Sequence, residues 1–159
     1  MGVSGSGKSL IGAALARALR IDFVEGDAYH SAENVKRMTS GVPLTDEDRA
    51  QWLQSLAARI LEAKAAGTGL VVTCSALKRK YRDVLRAGAP ELRFVFLRGS
   101  PTLLAERLAS RRGHFMPPSL LESQLAVLQE PSPEEAAWVY DISESPNDLV
   151  ADLVARAST

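Results

Sequence analysis

The chain has 159 residues, a length typical of one domain, and its 46% hydrophobic and 24% charged residues argue against disorder. Nineteen basic and nineteen acidic residues balance to zero net charge, so the basic excess typical of nucleic-acid binders is absent. One cysteine excludes an intramolecular disulfide, and the sequence shows neither a membrane-length apolar run nor signal-peptide features. We therefore expect a cytoplasmic domain that has no nucleic-acid or membrane partner.

Helical and strand-like segments alternate along the chain. In order, the sequence predicts a helix over 8–19, a strand over 21–24, a helix from Ser31 to about residue 38, a longer helix that begins at Thr45 and stops at Gly67, a strand over 70–74, a helix over 76–87, a strand over 92–97, a helix over 101–110, a helix over 120–129, a strand over 138–142 and a helix over 147–157. The strands lack polar alternation, as expected when both faces are buried. This pattern predicts an α/β fold with a mainly parallel sheet, helices on both faces, and ligands at the carboxyl ends of the strands.

Residues 2–9 match the phosphate-binding pattern G-x-x-x-x-G-K-[ST] at every fixed position. Glycines let backbone N–H groups turn inward around phosphate oxygens, and the following helix points its positive end at the same anion. Lys8 is predicted to reach the β- and γ-phosphates, and the Ser9 hydroxyl to ligate Mg²⁺. A flexible Gly/Ser-rich segment is the alternative, but the helix that follows at once favours ATP binding. The predicted nucleotide-binding residues are Gly2, Val3, Ser4, Gly5, Ser6, Gly7, Lys8 and Ser9.

A phosphate loop normally follows a buried strand, but here only Met1 precedes Gly2. We therefore expect the first strand of the sheet to be absent from this chain. Either further residues precede Met1, or another segment supports the loop, and the sequence leaves both open.

Two acidic residues remain as partners for the phosphate loop by elimination. The strands over 70–74 and 92–97 are followed by no acid, which leaves Glu25 and Asp27, with Asp141 more distant. Asp27 is predicted to accept or orient the proton of a substrate hydroxyl, although an aspartate after glycine is also common as a simple turn residue. Glu25 is predicted to hold a water bound to Mg²⁺.

Several segments together resemble the gluconate kinases, and the resemblance covers almost the whole chain. The segments are GDxxH at 26–30, GxPLxDxDR at 41–49, CSALKxxYRDxLR at 74–86, RxGHF at 111–115 and SQxxxLxxP at 123–131. The sequence departs from this family in lacking the first strand and in carrying Glu25 where close relatives often have aspartate.

The resemblance implies a single three-layer phosphate-loop kinase domain over 1–159, with a small lid over about 111–118. It implies transfer of the ATP γ-phosphoryl group to the terminal hydroxyl of D-gluconate with Mg²⁺, and it suggests a homodimer. Arg111 is then a lid residue that neutralises charge in the transition state, preferred over Arg112. Two alternatives stay open: a kinase for shikimate or a related hydroxy acid, and a nucleotide-binding module without catalysis.

A gluconate site needs a cation for the carboxylate and polar groups for the hydroxyls. Lys78 or Arg82 is a candidate cation because the predicted helix follows a strand end, although both also fit a solvated basic face. Arg49 is another, since a cation in the first turn of a helix opposes the helix dipole. His30 is predicted to donate to a sugar hydroxyl or to serve as a turn residue. His114, which lies in the lid segment beside the arginines, is predicted to bind the substrate. Arg107 is predicted to stack on adenine.

Overall fold

The computed structural model describes residues 1–110 and 118–158. The helices of this part are α1 Lys8–Leu19, α2 Ala32–Thr39, α3 Asp46–Ala66, α4 Arg79–Arg86, α5 Pro101–Ser110, α6 Pro118–Val127 and α7 Pro146–Ala157. Its strands are β1 Asp22–Glu25, β2 Leu70–Thr73, β3 Val95–Arg98 and β4 Trp138–Asp141. Short 3₁₀ turns at Gly26–Tyr29 and Pro133–Glu135 were not predicted. The predicted alternation of helices and strands is confirmed, and none of the described helices has the length and apolarity to cross a membrane.

The strands form two parallel pairs, β1 with β2 and β3 with β4. The backbone of Met1 joins the pairs, because its nitrogen donates to Val95 O and its carbonyl accepts from Leu97 N. On the other side, Gly2 N donates to Ser75 O, just beyond β2. The predicted parallel sheet is therefore present as two halves that are bridged only at Met1 and Gly2 within the described residues.

Local sequence signals explain where the helices begin and end. Ser31 and Thr45 cap α2 and α3, and Thr45 forms a reciprocal capping box with Asp48. Gly67 ends α3 in the left-handed conformation, with φ 66°. These termini follow from short-range hydrogen bonds, which is why the sequence located them closely.

Helices cover both faces of the sheet, and each face has its own apolar cluster. The cluster under α3 and α4 contains Leu56, Ile60 and Leu85. The cluster under α1, α5 and α7 contains Ile11 and Leu153, among other residues. The layers place the carboxyl ends of β1 and β2 beside the start of α1, where ligands bind in sheets of this kind.

The helix α4 begins later than expected, at Arg79 rather than residue 76. Ala76 adopts a left-handed backbone with φ 46°, which breaks the predicted helix at its start. Lys78 is therefore the extended N-cap residue, and it does not share a regular helical stripe with Arg82 and Arg86.

A fully buried ion pair joins α4 to the Pro133–Glu135 turn. Arg82 donates to Glu135 from Nε at 2.5 Å and from a terminal nitrogen at 2.8 Å, and both side chains are about 2% exposed or less. The same guanidinium donates to Ala76 O at 3.0 Å and Gln129 O at 2.9 Å. These bonds tie the chain that follows α6 to the beginning of α4.

We expect Arg82→Ala to lower the free energy of unfolding by about 3–5 kcal/mol, because it leaves the Glu135 carboxylate buried without its partner. Chemical denaturation of the variant and the wild type measures this difference. The matched control is Arg79→Ala on the same helix, whose exposed guanidinium donates to Ser132, and its loss should be under about 1 kcal/mol.

The same pair predicts a pH dependence of stability. The hydrogen bonds from Arg82 hold the pKa of Glu135 well below its usual 4.5. A lowered carboxyl pKa contributes stability that is fully present above the unfolded value and is lost as the pH falls below it. Glu135→Gln should therefore flatten the loss of wild-type stability below pH 4.5, and an unchanged slope would contradict the assignment.

Candidate active site

The phosphate loop has the backbone conformation that its glycines allow. Gly5 and Gly7 adopt φ 83° and φ 90°, in the region that side chains rarely adopt. A Cβ on Gly2 would lie 2.9 Å from Leu97 O, so the loop also runs too close to β3 for a side chain. Lys8, the first residue of α1, donates to Val3 O at 3.0 Å across the loop. The loop is thus folded around its lysine.

Both helices that flank the 111–117 segment contact this loop. A Cβ on Gly5 would lie 3.1 Å from Leu108 Cγ, so α5 packs directly on the loop backbone. From α6, the Gln124 carbonyl oxygen accepts from Ser4 N at 2.7 Å. The loop backbone is therefore supported by both helices.

A constrained turn after β1 presents Asp27. Gly26 N donates to the Thr73 hydroxyl at 3.1 Å, and Trp52 Nε1 donates to Gly26 O at 2.7 Å. A Cβ on Gly26 would lie 1.9 Å from Thr73 O, so only glycine fits between β2 and α3. Asp27 follows at once and is exposed, as a residue that acts on a bound substrate must be.

His30 lies against the same tryptophan. Its ring stacks on Trp52 with centroids 4.1 Å apart and planes at 18°. Burial lowers the pKa of His30, Asp27 opposes that shift and Arg49 adds to it. The imidazole is therefore neutral at pH 7 and lies within electrostatic reach of both residues. Its buried Nδ1 has no hydrogen-bond partner among the described residues, which leaves that nitrogen for a ligand.

Two candidate cations flank the ring of Tyr81. The Arg49 guanidinium carbon lies 5.9 Å from the ring centroid and Lys78 Nζ lies 5.7 Å from it. Lys78 also donates to Asp46 at 2.9 Å, and Lys80 and the Tyr81 hydroxyl donate to the same carboxylate. These hydrogen bonds, from Lys80, Tyr81 and Lys78, hold the pKa of Asp46 far below its usual range. Lys78 thus shares the Asp46 carboxylate with Lys80, whereas Arg49 forms no ion pair with another described residue.

The buried thiol of Cys74 is influenced by charges from both the phosphate loop and the acidic turn. Burial raises the pKa of Cys74 to about 12, and Asp27 raises it further while Lys8 lowers it. The thiol is therefore un-ionised and inert at neutral pH. Lys8 and Asp27 therefore both lie within electrostatic reach of this thiol, just beyond the end of β2.

Glu25 and Ser9 have donor atoms of the type that Mg²⁺ prefers. Glu25 ends β1 opposite Thr73, whose hydroxyl donates to the Glu25 carboxylate. Ser9 lies in the first turn of α1 and is exposed. No group of three or more acidic, histidine or cysteine residues in the described part could hold a metal by itself. Few protein ligands, supplemented by phosphate and water, are the usual arrangement for Mg²⁺.

Arg107 lies beside the loop, near Gly7. One of its terminal nitrogens donates to Ile142 O at 2.6 Å, and the other would lie 3.9 Å from a Cβ on Gly7. This position fits the predicted contact with the nucleotide base.

The structure does not bring every predicted residue to this edge. Arg82 is only 1% exposed and forms a buried ion pair with Glu135. The prediction that it binds the substrate is therefore wrong. Arg111 and His114, with the rest of the predicted lid up to residue 117, lie outside the described residues.

Four contributors were not predicted: Asp46, Tyr81, Thr73 and Gln124. Asp46, Tyr81 and Gln124 belong to the segments at 41–49, 74–86 and 123–131, and that membership could have marked them as site residues. Thr73 had none, because its role depends on which residue faces Glu25 across two strands.

Comparison with known proteins shows which families the chain resembles. A family model described as an AAA domain matches residues 1–131. The chain is 46% identical over 154 residues to a gluconokinase of Gluconobacter oxydans, covering 97% of this chain and 86% of that protein.

Solved structures are similar along almost the entire chain. A gluconokinase from Sinorhizobium meliloti superposes with a TM-score of 0.88 at 49% identity, covering 98% of this chain and 87% of that one. A sugar kinase from Janibacter superposes with a TM-score of 0.92 at 47% identity, covering 98% of this chain and 90% of that one. The predicted phosphate-loop kinase fold is thereby confirmed.

Proposed function

The chain belongs to the gluconokinase family, and on that premise we propose that it transfers the γ-phosphoryl group of ATP to D-gluconate, giving 6-phosphogluconate. One observation carries the proposal: Asp27 follows β1 at the edge of the sheet, and it shares an electrostatic neighbour with the phosphate-loop lysine, at Cys74, and another with Arg49, at His30. Phosphoryl transfer needs a cradle for the donor, a base for the acceptor and a charge that orients the acceptor. This edge supplies one group for each.

The donor site is the loop at residues 2–9. Its backbone N–H groups and the start of α1 attract phosphate oxygens, and Lys8 neutralises charge on the transferred group. Lys8 reaches Val3 O at present, so it needs only a side-chain rotation to leave that carbonyl for a phosphate. Arg107 is the proposed contact for the adenine base of ATP.

Ser9 and Glu25 are the residues that would hold Mg²⁺, Ser9 directly and Glu25 through water. The ion, when bound, supplies positive charge that offsets the negative charge on the phosphates. Thr73 fixes the direction of the Glu25 carboxylate, so the donor set is ordered before the ion arrives.

Asp27 is the proposed base for the acceptor hydroxyl. The contacts of Gly26 with Thr73 and Trp52 hold the backbone just before Asp27, which sets where its side chain leaves the chain. A base of this kind accepts or orients the hydroxyl proton as the oxygen attacks phosphorus.

Arg49 is the proposed partner of the gluconate carboxylate, and His30 a donor or acceptor for a hydroxyl. A guanidinium binds a carboxylate through two parallel hydrogen bonds, which orients a flexible acid more strongly than one ammonium does. Lys78 is the second candidate, but its bond to Asp46 at 2.9 Å must be exchanged first. Arg111 and His114 stay proposed lid residues, and the homodimer and the cytoplasmic location stay predictions.

The activity is tested by ADP release from ATP and Mg²⁺ with gluconate or shikimate as acceptor. We expect release with gluconate and none above background with shikimate, and Lys8→Ala should retain less than about a tenth of the wild-type kcat because charge on the transferring group is lost. ATP binding without turnover of any acid would instead favour a module without catalysis. Release with shikimate would assign another acceptor.

Asp27→Asn should lower kcat for gluconate by about 10²–10⁴-fold while changing the affinity for ATP little, because it keeps the shape and removes the base. Steady-state kinetics together with calorimetry of a non-hydrolysable ATP analogue separate the two effects. A weaker affinity for the analogue with kcat unchanged would place Asp27 in the metal site instead.

Arg49→Ala should raise KM for gluconate by about tenfold or more and leave KM for ATP unchanged, because a charged hydrogen bond to the acid is lost. Lys78→Ala is the matched variant, since it removes the other cation beside Tyr81. A larger rise in gluconate KM for Lys78→Ala than for Arg49→Ala would transfer the role to Lys78.

A further inference from the structure

Helix α6 contributes a side chain that contacts the phosphate loop from the other end of the sequence. The Gln124 side-chain oxygen, Oε1, accepts a hydrogen bond from Ser4 N at 2.7 Å, across a separation of 120 residues. Leu121, one turn earlier on α6, belongs to the same buried cluster as Val3. Residues three apart on a helix share a face, so the burial of Leu121 directs the Gln124 amide toward the loop.

The N–H that Gln124 contacts and the carbonyl that holds Lys8 belong to one peptide unit, between Val3 and Ser4. Val3 O accepts from Lys8 Nζ at 3.0 Å and from Ser6 N at 3.3 Å. This peptide is trans, so its N–H and its C=O point in opposite directions within one plane. The hydrogen bond to Gln124 on one side therefore turns the carbonyl toward Lys8 on the other side.

The hydrogen bonds on the two sides of this peptide reinforce each other. Donation from Ser4 N–H polarises the peptide and makes Val3 O a stronger acceptor for the lysine. Turning the peptide over requires rotation about only two backbone bonds, one in Val3 and one in Ser4. The N–H would then face the Lys8 ammonium, and the two positively polarised groups would repel each other.

We propose that Gln124 is a positioning residue for phosphoryl transfer, because it orients the Val3–Ser4 peptide so that Lys8 is held at the loop, one side-chain rotation from a phosphate. This role rests on the proposed kinase function. A charge that is in place before the reaction costs no reorganisation when charge develops on the transferred group. Gln124 acts through the peptide and Lys8, and the role requires no contact with either substrate.

Gln129 provides a matched control for the side-chain amide of Gln124. Its Oε1 accepts from Arg79 N at 2.8 Å, so it makes the same type of hydrogen bond to a backbone N–H. Gln129 follows α6 by two residues and bonds the first residue of α4 instead of the phosphate loop. Its replacement therefore removes an equivalent hydrogen bond without releasing the Val3–Ser4 peptide.

The first measurement is hydrogen exchange of the Ser4 amide by NMR without nucleotide, in the wild type, Gln124→Met, Gln124→Glu and Gln129→Met. Methionine keeps the length of the side chain and removes the strong acceptor, whereas glutamate keeps an acceptor oxygen at the same reach. We expect exchange of this amide to be about tenfold faster in Gln124→Met and within about twofold of the wild type in the other two variants.

Kinetics below the Tm of every variant then separate positioning from anchoring of α6. Gln124→Met should lower kcat for gluconate about tenfold and weaken a non-hydrolysable ATP analogue about threefold, with KM for gluconate within about twofold, because the lysine acts on the transferred group. Gln124→Glu should recover most of kcat at saturating ATP, although its added negative charge weakens binding of the analogue. Gln129→Met should keep the wild-type kcat and analogue affinity.

Unchanged Ser4 exchange in Gln124→Met would overturn the proposal, and so would faster exchange with unaltered kcat and analogue affinity, since the contact would then only anchor α6. An equal fall in kcat for Gln129→Met would also overturn it, because the effect would belong to the packing of the whole segment. A wild type that turns over no gluconate would overturn the proposed function instead. Ser4 exchange and analogue affinity need no acceptor, so they would still decide whether Gln124 positions the loop.

Discussion

The close approach of Gly26 to β2 is the constraint on which the acceptor side of the site depends. Its backbone is held between the Thr73 hydroxyl and the Trp52 indole, with no room for a side chain. The same two partners orient the flanking groups, since Thr73 donates to Glu25 and Trp52 supports the ring of His30. Gly26 therefore contacts the same two residues, Thr73 and Trp52, that orient Glu25 and His30, and Asp27 follows it directly in the chain.

Charge in the crevice is distributed unevenly, and that distribution gives the residues different roles. Asp46 accepts from two lysines and Tyr81, so it ties the start of α3 to α4 and offsets part of the charge of the two ammonium groups. Arg49 also lies near the Tyr81 ring, with its guanidinium carbon 5.9 Å from the ring centroid, and it forms no ion pair with another described residue. Arg82, three residues from Arg79 on α4, is committed instead to a buried pair that holds the fold. The cations thus have different roles: Arg49 is the candidate for binding the substrate, the two lysines on Asp46 join α3 to α4, and Arg82 stabilises the fold.

The phosphate loop is supported from several directions. α5 packs on Gly5, Gln124 of α6 accepts from Ser4, and Met1 connects the loop to β3. Met1 and Gly2 also join the two strand pairs, so the same residues support the loop and bridge the sheet.

The sequence by itself determined the helices, the strands, the phosphate loop and the acidic turn, because these depend on periodicity, caps and residues adjacent in the chain. It identified Lys8 from motif spacing, Asp27 from its place after a strand, and Arg49 because a cation in the first turn of a helix opposes the helix dipole. Only the tertiary structure decided that Arg82 is buried, since the Glu135 that pairs with it lies 53 residues away. The same holds for the Thr73 contact with Glu25, which depends on the register of two strands. Short-range patterns specify which groups are present, whereas packing between distant segments decides which of their charges remain free to act on a substrate.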